Sequence, residues 1–291
     1  MSTVMDTLPT EPPKSAAGPR RGPSNGVILL TLGLVMLAVM VTLTIFAPWI
    51  VPYDASATSP FSLEGPSAEH WLGTDLIGRD VLSRLLMGGR TTLLITAAAV
   101  SLALAAGLVL GLLSGYLGGV VDEIIMRILD VVFAFPVFLL AIAVVAALGP
   151  TLPNLILTIA IVYTPAMARV VRGPVLSVKQ WDHVEAARSV GVTEFWLVVR
   201  HILPMVISPI VVATSLTLAQ AIFTVTALSF LGMGPPPPDP NWGGMLAEAR
   251  QFMELAPLTV VGPAFAIVFA TLTFIVLANG LREILDVGSR R

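Results

Sequence analysis

Long uncharged apolar runs, separated by short polar segments, dominate this chain of 291 residues. From Val27 to Ile45 no charged side chain interrupts nineteen residues, and the run continues through Phe46-Ala47-Pro48-Trp49. A helix needs about 20 apolar residues to cross a bilayer core. Five more runs predict spans at roughly 91–114, 128–148, 155–170, 206–230 and 258–280, the fourth being the shortest. Glycine, proline or charge marks the breaks, as in Gly118-Gly119-Val120-Val121-Asp122 and Gly149-Pro150-Thr151-Leu152-Pro153. The pattern predicts an all-α polytopic membrane protein with six transmembrane helices.

A cleaved signal peptide is the rival reading of the first run, with Ala55-Ser56-Ala57 as its cleavage site. Signal peptides carry an apolar region of about 7–15 residues, shorter than this one. Arg20-Arg21 also lacks the apolar pair that follows a twin-arginine signal. The run is therefore read as a span. Residues 1–26, rich in Pro, Ser and Gly, are predicted to form a disordered N-terminal tail. Residues 27–286 form the membrane domain, and 287–291 a short C-terminal tail.

Composition narrows the function. Hydrophobic residues make up 56% and charged residues 12%, against about 25% charged in a soluble domain. A net charge of −2 offers nothing to nucleic acid. Without cysteine there is no disulfide framework and no thiol chemistry. His70, His183 and His201 lie far apart, so no metal site is expected.

Charge placement predicts orientation. With the N-terminus inside, Lys14, Arg20, Arg21, Arg127, Arg169, Arg172, Lys179, Arg188, Arg200, Arg282, Arg290 and Arg291 fall on inner segments. Only Arg79, Arg84, Arg90 and Arg250 fall outside. Twelve against four places both termini in the cytoplasm, together with the loop from about 172 to 205.

That loop carries the densest pattern in the chain. Glu185-Ala186-Ala187 precede Gly191, and His201-Ile202-Leu203-Pro204 follow. Val184, Ala186, Ala187 and Val190 offer a small apolar face. Glu185 and Arg188, three apart, are expected to pair on one helix surface. Gly191 suits the positive φ that ends a helix. Thr193 or Glu194 is expected to open a second helix, with Phe195, Leu197, Val198 and Ile202 along the membrane surface. Pro204 fits the first turn of the next span. Such an ordered knob between two spans is a handle for a soluble partner; a plain interfacial helix is the alternative.

Other segments have simpler readings. The second run is rich in small residues, from Ala97 to Gly111, which suits close helix packing. Ahead of it, Gly73 and Gly78 permit turns, and Asp75 and Asp80 can cap helix starts. Arg79, Asp80 and Arg84 are expected to flank a helix lying along the outer surface; a metal site on Asp75 and Asp80 lacks further ligands. Arg127 and Asp130 are expected to neutralise one another, and Pro136 to kink the third span or open its first turn. Pro235-Pro236-Pro237-Pro238 reads as a stiff extended segment.

No apolar run has a charged residue near its centre, whereas ion-coupled carriers keep such residues at membrane depth. No G-x-x-x-x-G-K-[ST] phosphate loop occurs, and no Ser/His/Asp set or His-Glu-x-x-His. Energy must come from outside the chain. Thr217, Gln220 and Thr224 share a helix face by spacing and form the candidate wet stripe. Hydroxyls bonding back to helix carbonyls, with Gln220 meeting a neighbouring span, is the competing reading.

The loop spacing resembles the EAA loop of bacterial ABC-importer permeases: E-A-A, three residues, G, nine residues, an apolar position, one residue, L-P. His201 stands at the apolar position, a departure, although Arg-His-Ile-Leu-Pro resembles the peptide-importer branch. His70-Trp71-Leu72-Gly73-Thr74-Asp75, Gly78-Arg79-Asp80 and Ser83-Arg84 resemble the second permease of dipeptide, oligopeptide, nickel and glutathione importers. Gly115-Tyr116-Leu117-Gly118-Gly119, the proline run with Trp242-Gly243, and Gly280-Leu281-Arg282-Glu283-Ile284-Leu285-Asp286 fit as well. Val287-Gly288 and Asn279 depart from that family's usual C-terminal proline and acidic position.

The resemblance implies a type I importer permease in the bacterial plasma membrane. It would work with a homologous permease, two ATPase subunits that bind ATP and Mg, and an extracytoplasmic solute-binding protein. The chain itself would be non-catalytic and hold no cofactor. By the same resemblance Glu185, Ala186, Ala187, Arg188, Gly191, Leu203 and Pro204 belong to the contact with the ATPase. Dipeptides or oligopeptides are the implied cargo, with nickel, glutathione or haem as alternatives. A secondary transporter and an assembly or receptor subunit are the rival functions.

Overall fold

The structure, a computed structural model, describes residues 23–288. The expected tail therefore lies outside the described residues up to residue 22, as does the C-terminal tail from residue 289. Helices run α1 Pro23–Ile50, α2 Val81–Leu117, α3 Gly119–Phe133, α4 Val137–Leu148, α5 Leu152–Val178, α6 Asp182–Ser189 and α7 Glu194–Leu197. A π-helical turn, Val198–Ile202, leads into α8 Leu203–Phe230, followed by α9 Trp242–Ala249 and α10 Leu258–Gly288. Among the described residues the one β feature is an isolated bridge between Thr74 and Asp80.

Five helices are long and apolar enough to cross a membrane, and α3 with α4 makes a sixth crossing if the bent pair counts as one span. The third span is not a single helix over 128–148. Its two parts meet at 87°. Pro136, at φ −55° and ψ 128°, stands just before α4 in an extended conformation that no helix continues through. At 12 residues and about 1.5 Å per residue, α4 reaches barely half of a bilayer core.

Two other expectations need correction. No separate surface helix precedes the second span: Asp80 caps α2, accepting from the Ser83 backbone N–H at 2.7 Å, and the helix continues unbroken to Leu117. Arg79 and Asp80 stand before it and Arg84 lies in its first turn. The fourth span is not short either, because α5 continues past Arg169 and Arg172 to Val178.

Small residues bring the central helices together. A Cβ on Gly107 would lie 2.4 Å from Met167 Cβ, and one on Gly111 would lie 2.6 Å from the Ala168 carbonyl oxygen. Gly115, one turn further along, meets Val175. The small face of α2 thus packs on α5 within this chain. At the periphery α1 and α10 run antiparallel, with Gly33 against Leu277 and Gly280 against Leu30. Central α8 touches α2, α5, α9 and α10. The start of α1 and the end of α10 share one end of the bundle with α6; α9 and residues 51–80 occupy the other.

Candidate functional site

At the α6 end the loop folds into a compact knob. Val184 of α6, Leu197 of α7 and Ile202 of the π turn are fully buried in one cluster. The same cluster includes Val171, Val175 and Val178 of α5, and Val206 and Ile210 of α8. Burying a side chain of this size is worth about 1.5–3 kcal/mol, so the knob is fixed to both spans. Leu197 and Ile202 are therefore core residues of the knob, contrary to their expected place on the membrane surface. Phe195 and Trp196 are the exposed ones, at 71% and 55%.

Glu185, Ala186 and Arg188 sit on the outward side, while Ala187 is half-buried against the cluster. The expected Glu185–Arg188 pair is absent. Arg188 instead approaches the Tyr116 hydroxyl at 3.3 Å and the Glu194 carboxylate at 3.8 Å. Gly191 has φ +85°, and nothing lies within 4 Å of a Cβ placed there. Its role is conformational: it turns the chain between α6 and α7. Thr193 precedes α7 as expected. Leu203 packs half-buried on the cluster, and Pro204 occupies the first turn of α8.

Several supports were not singled out in the sequence. Lys179 donates to the Gly115 and Tyr116 carbonyls at 2.8 and 3.3 Å, closing the C-terminus of α2 with a cation. Arg127 and Asp130 do not pair: Asp130 accepts from Arg169 at 2.5 Å. Their i, i+3 spacing carried no information about the helix packed alongside.

The candidate stripe on α8 separates in three dimensions. Thr217 and Thr224 are buried, whereas Gln220 is exposed. Thr224 shares a 2.9 Å hydrogen bond with the Tyr163 hydroxyl and donates to the Gln220 carbonyl at 3.1 Å. Among the described residues none hydrogen-bonds the Gln220 amide.

At the α9 end, Thr74 pins the folded segment 51–80. Its hydroxyl donates to the Phe61 carbonyl at 2.6 Å and accepts from the Glu64 N–H at 2.9 Å. Gly73 and Gly78, both at φ +78°, make the expected turns. Asp80 also meets His70 Nδ1 at 2.9 Å. Asp75 binds the Arg79 side chain at 2.6 Å and pairs with Arg84. Arg79 and Arg84 both reach Glu248 on α9, at 2.6 and 2.8 Å. These partners account for both aspartates without a metal. The proline run is not fully extended, since it turns at Pro237 and Pro238, whose peptide is cis.

The described residues thus form a bundle of candidate spans with a packed helical knob at one end. Residues 107–291 match the family described as the inner membrane component of binding-protein-dependent transport systems, and the chain belongs to that family. Residues 29–66 match the N-terminal transmembrane domain of oligopeptide transport permease C. The chain is thus an ABC-importer permease of the dipeptide, oligopeptide and nickel class, of the second-subunit type. It is 49% identical over 249 residues to the glutathione transport system permease protein GsiD of Shigella flexneri, covering 85% of this chain and 82% of that protein. GsiD of Pectobacterium atrosepticum is 45% identical over 261 residues, covering 89% and 86%. An inward-facing structure of the MetNI methionine ABC transporter aligns at a TM-score of 0.56 and 19% identity, over 70% of this chain and 96% of that one. That likeness concerns the fold alone.

Proposed function

We propose that this permease forms half of an ATP-driven import path for short peptides, glutathione among them, across the bacterial plasma membrane. The knob carries this reading. Its exposed side offers Glu185 and Ala186, while its buried side is packed into α5 and α8. A cytoplasmic ATPase that grips the exposed side displaces both central spans together, because close-packed interiors transmit strain rather than absorb it. Glu185 contributes a charge, Ala186 and Ala187 allow close approach, and Gly191, Leu203 and Pro204 hold the knob to its span.

The other half of the path is a homologous permease. Two ATPase subunits bind ATP and Mg, a solute-binding protein delivers cargo from outside, and this chain holds no cofactor. The Lys/Arg distribution supports a cytoplasmic α6 end and an external α9 end. Peptide cargo is favoured by the oligopeptide permease match and by the glutathione named for the relatives, glutathione being a tripeptide.

Within the membrane, Gln220 is the best candidate for a wet surface, with Thr217 and Thr224 supporting its helix from inside. An exposed, unpaired amide at that depth is costly against lipid and cheap against water or a partner's polar group.

Reconstitution of the chain with its partner subunits in proteoliposomes tests the proposal. Glutathione or tripeptide uptake should require ATP and the binding protein. Single cysteines replacing Ser62 and Ser177 should label from opposite sides, Ser62 from outside. Uptake driven by an ion gradient without ATP, or labelling of both cysteines from one side, contradicts it.

A further inference from the structure

Where α2 ends beside the knob, a groove of about 360 Å³ runs between them. Val109 and Leu113 of α2 form one exposed lip, and Phe195 and Val199 of the knob form the other. Leu112 and Tyr116, half-buried against the knob's cluster, close it behind. From Val109 to Leu117 the groove follows α2 for about 12 Å. No charge interrupts the chain between Arg90 and Asp122, so the Val109 end lies at hydrocarbon depth. The other end is charged. Glu194 lines it, and Arg188 of α6 reaches it, 3.3 Å from the Tyr116 hydroxyl and 3.8 Å from the Glu194 carboxylate. Within about two helical turns the groove thus passes from apolar walls to an ion pair, the profile of an amphiphile.

We propose that this groove holds one phospholipid whose headgroup carries both a phosphate and a primary ammonium. Its acyl chain would lie along α2, and its headgroup across Arg188 and Glu194. These side chains are 49% and 67% exposed, so a ligand can reach both. Their mutual contact exhausts neither, since a guanidinium has five N–H donors and a carboxylate about four acceptor sites. Arg188 keeps donors for the phosphate, and Glu194 keeps acceptors for the ammonium. Lys179, the other cation at this end of α2, is engaged with the Gly115 and Tyr116 carbonyls. One cation beside one anion favours a zwitterion. An anionic headgroup would meet Glu194 unfavourably, and a quaternary ammonium has no N–H to give it.

Depth and width weigh against other occupants. A soluble ATPase would bring unpaired backbone groups to hydrocarbon depth. A helix of the partner permease, about 10 Å across, would fill about 900 Å³ over the same length, more than twice the groove. Trp196, exposed beside Phe195, is a residue type enriched at membrane–water interfaces. The proposal goes beyond the import reading and requires only that α2 cross the membrane.

Native mass spectrometry of the assembled complex tests it, with phosphatidylethanolamine, phosphatidylglycerol and phosphatidylcholine supplied in turn. Phosphatidylethanolamine should bind about fivefold more tightly than the other two, the scale of one exposed charged contact. Glu194→Gln should erase that preference and leave phosphatidylglycerol binding unchanged. A photoreactive benzophenone side chain placed at Val109 should link to phospholipid. Equal binding of the three headgroups, or a preference that survives in Glu194→Gln, would overturn the proposal. So would a photolink from position 109 to the partner permease or to an ATPase, which would then be the occupant. Should Glu194→Gln fail to assemble, the headgroup comparison on the unaltered complex and the photolink decide.

Discussion

Arg172 on α5 grips Asp122 on α3 through two nitrogens, Nε and Nη2, both at 2.6 Å. The Ser114 hydroxyl of α2 donates to the same carboxylate at 2.6 Å. Three helices therefore meet at one acid, beside the point where α3 leaves the bundle. The side chains are 32% and 16% exposed, so solvent weakens the pair without removing it. Arg172→Ala and Asp122→Ala should each lower the melting temperature, and their double-mutant cycle should return a coupling of about 1 kcal/mol. Strict additivity would show that the contact holds nothing.

Close packing of α2 on α5 gives a second expectation. In Gly111→Val the new side chain meets the Ala168 carbonyl and Val171 Cβ, each 2.6 Å from its Cβ. Overpacking of this kind costs about 1–3 kcal/mol, visible as earlier thermal unfolding in detergent. Gly173→Ala is the control, since nothing lies within 4 Å of a Cβ there, and a helical alanine should be neutral or slightly stabilising.

Stability of the folded segment 51–80 should depend on pH through Asp75. Burial pushes its pKa up, but the Arg79 backbone N–H and the charges of Arg79 and Arg84 outweigh this and hold it below the ordinary 3.8. A carboxylate with a depressed folded pKa stabilises above its unfolded pKa, and that contribution is lost as pH falls through the folded value. Asp75→Asn should therefore unfold earlier than the unaltered protein at pH 7. The gap should narrow as pH drops below 3.8 and through the lowered pKa. A gap constant over that range would contradict the assignment.

Hydropathy made the spans legible because uncharged runs of this length have few other uses. It could not locate helix ends where charge enters a continuing helix. Arg169 and Arg172 look like the end of a span, yet α5 carries both to partners on α3. Arg84 looks like surface, yet it is buried at the start of α2 because Asp75 and Glu248 meet it. The knob's outline was readable from Gly191 and Pro204, whose backbone demands are local. Its anchoring was not, because which of Phe195, Leu197 and Ile202 turns inward depends on α5 and α8 packing behind them. The same holds for the α8 stripe, where spacing aligned Thr217, Gln220 and Thr224 but tertiary contacts buried the two threonines.

Gln220 gives a prediction specific to transport. Gln220→Leu should assemble normally and leave peptide affinity of the binding protein unchanged, because recognition precedes arrival at this helix. Uptake should fall by about five- to tenfold, the scale of one hydrogen bond made to passing cargo. Uptake at the unaltered rate would remove Gln220 from the path and leave it as a contact with the partner permease.

ATP hydrolysis and peptide uptake measured together on Ala186→Trp in proteoliposomes test the central claim most directly. Ala186 is exposed on the knob, so a bulky side chain there leaves the buried cluster of Val184, Leu197 and Ile202 intact while obstructing the docking face. The account predicts an unchanged melting temperature, ATP hydrolysis still detectable in the assembled complex, and uptake reduced by about tenfold or more, equivalent to about 1.4 kcal/mol or more of lost coupling. Full uptake with normal hydrolysis in that variant would contradict the claim that the knob transmits the ATPase stroke to α5 and α8.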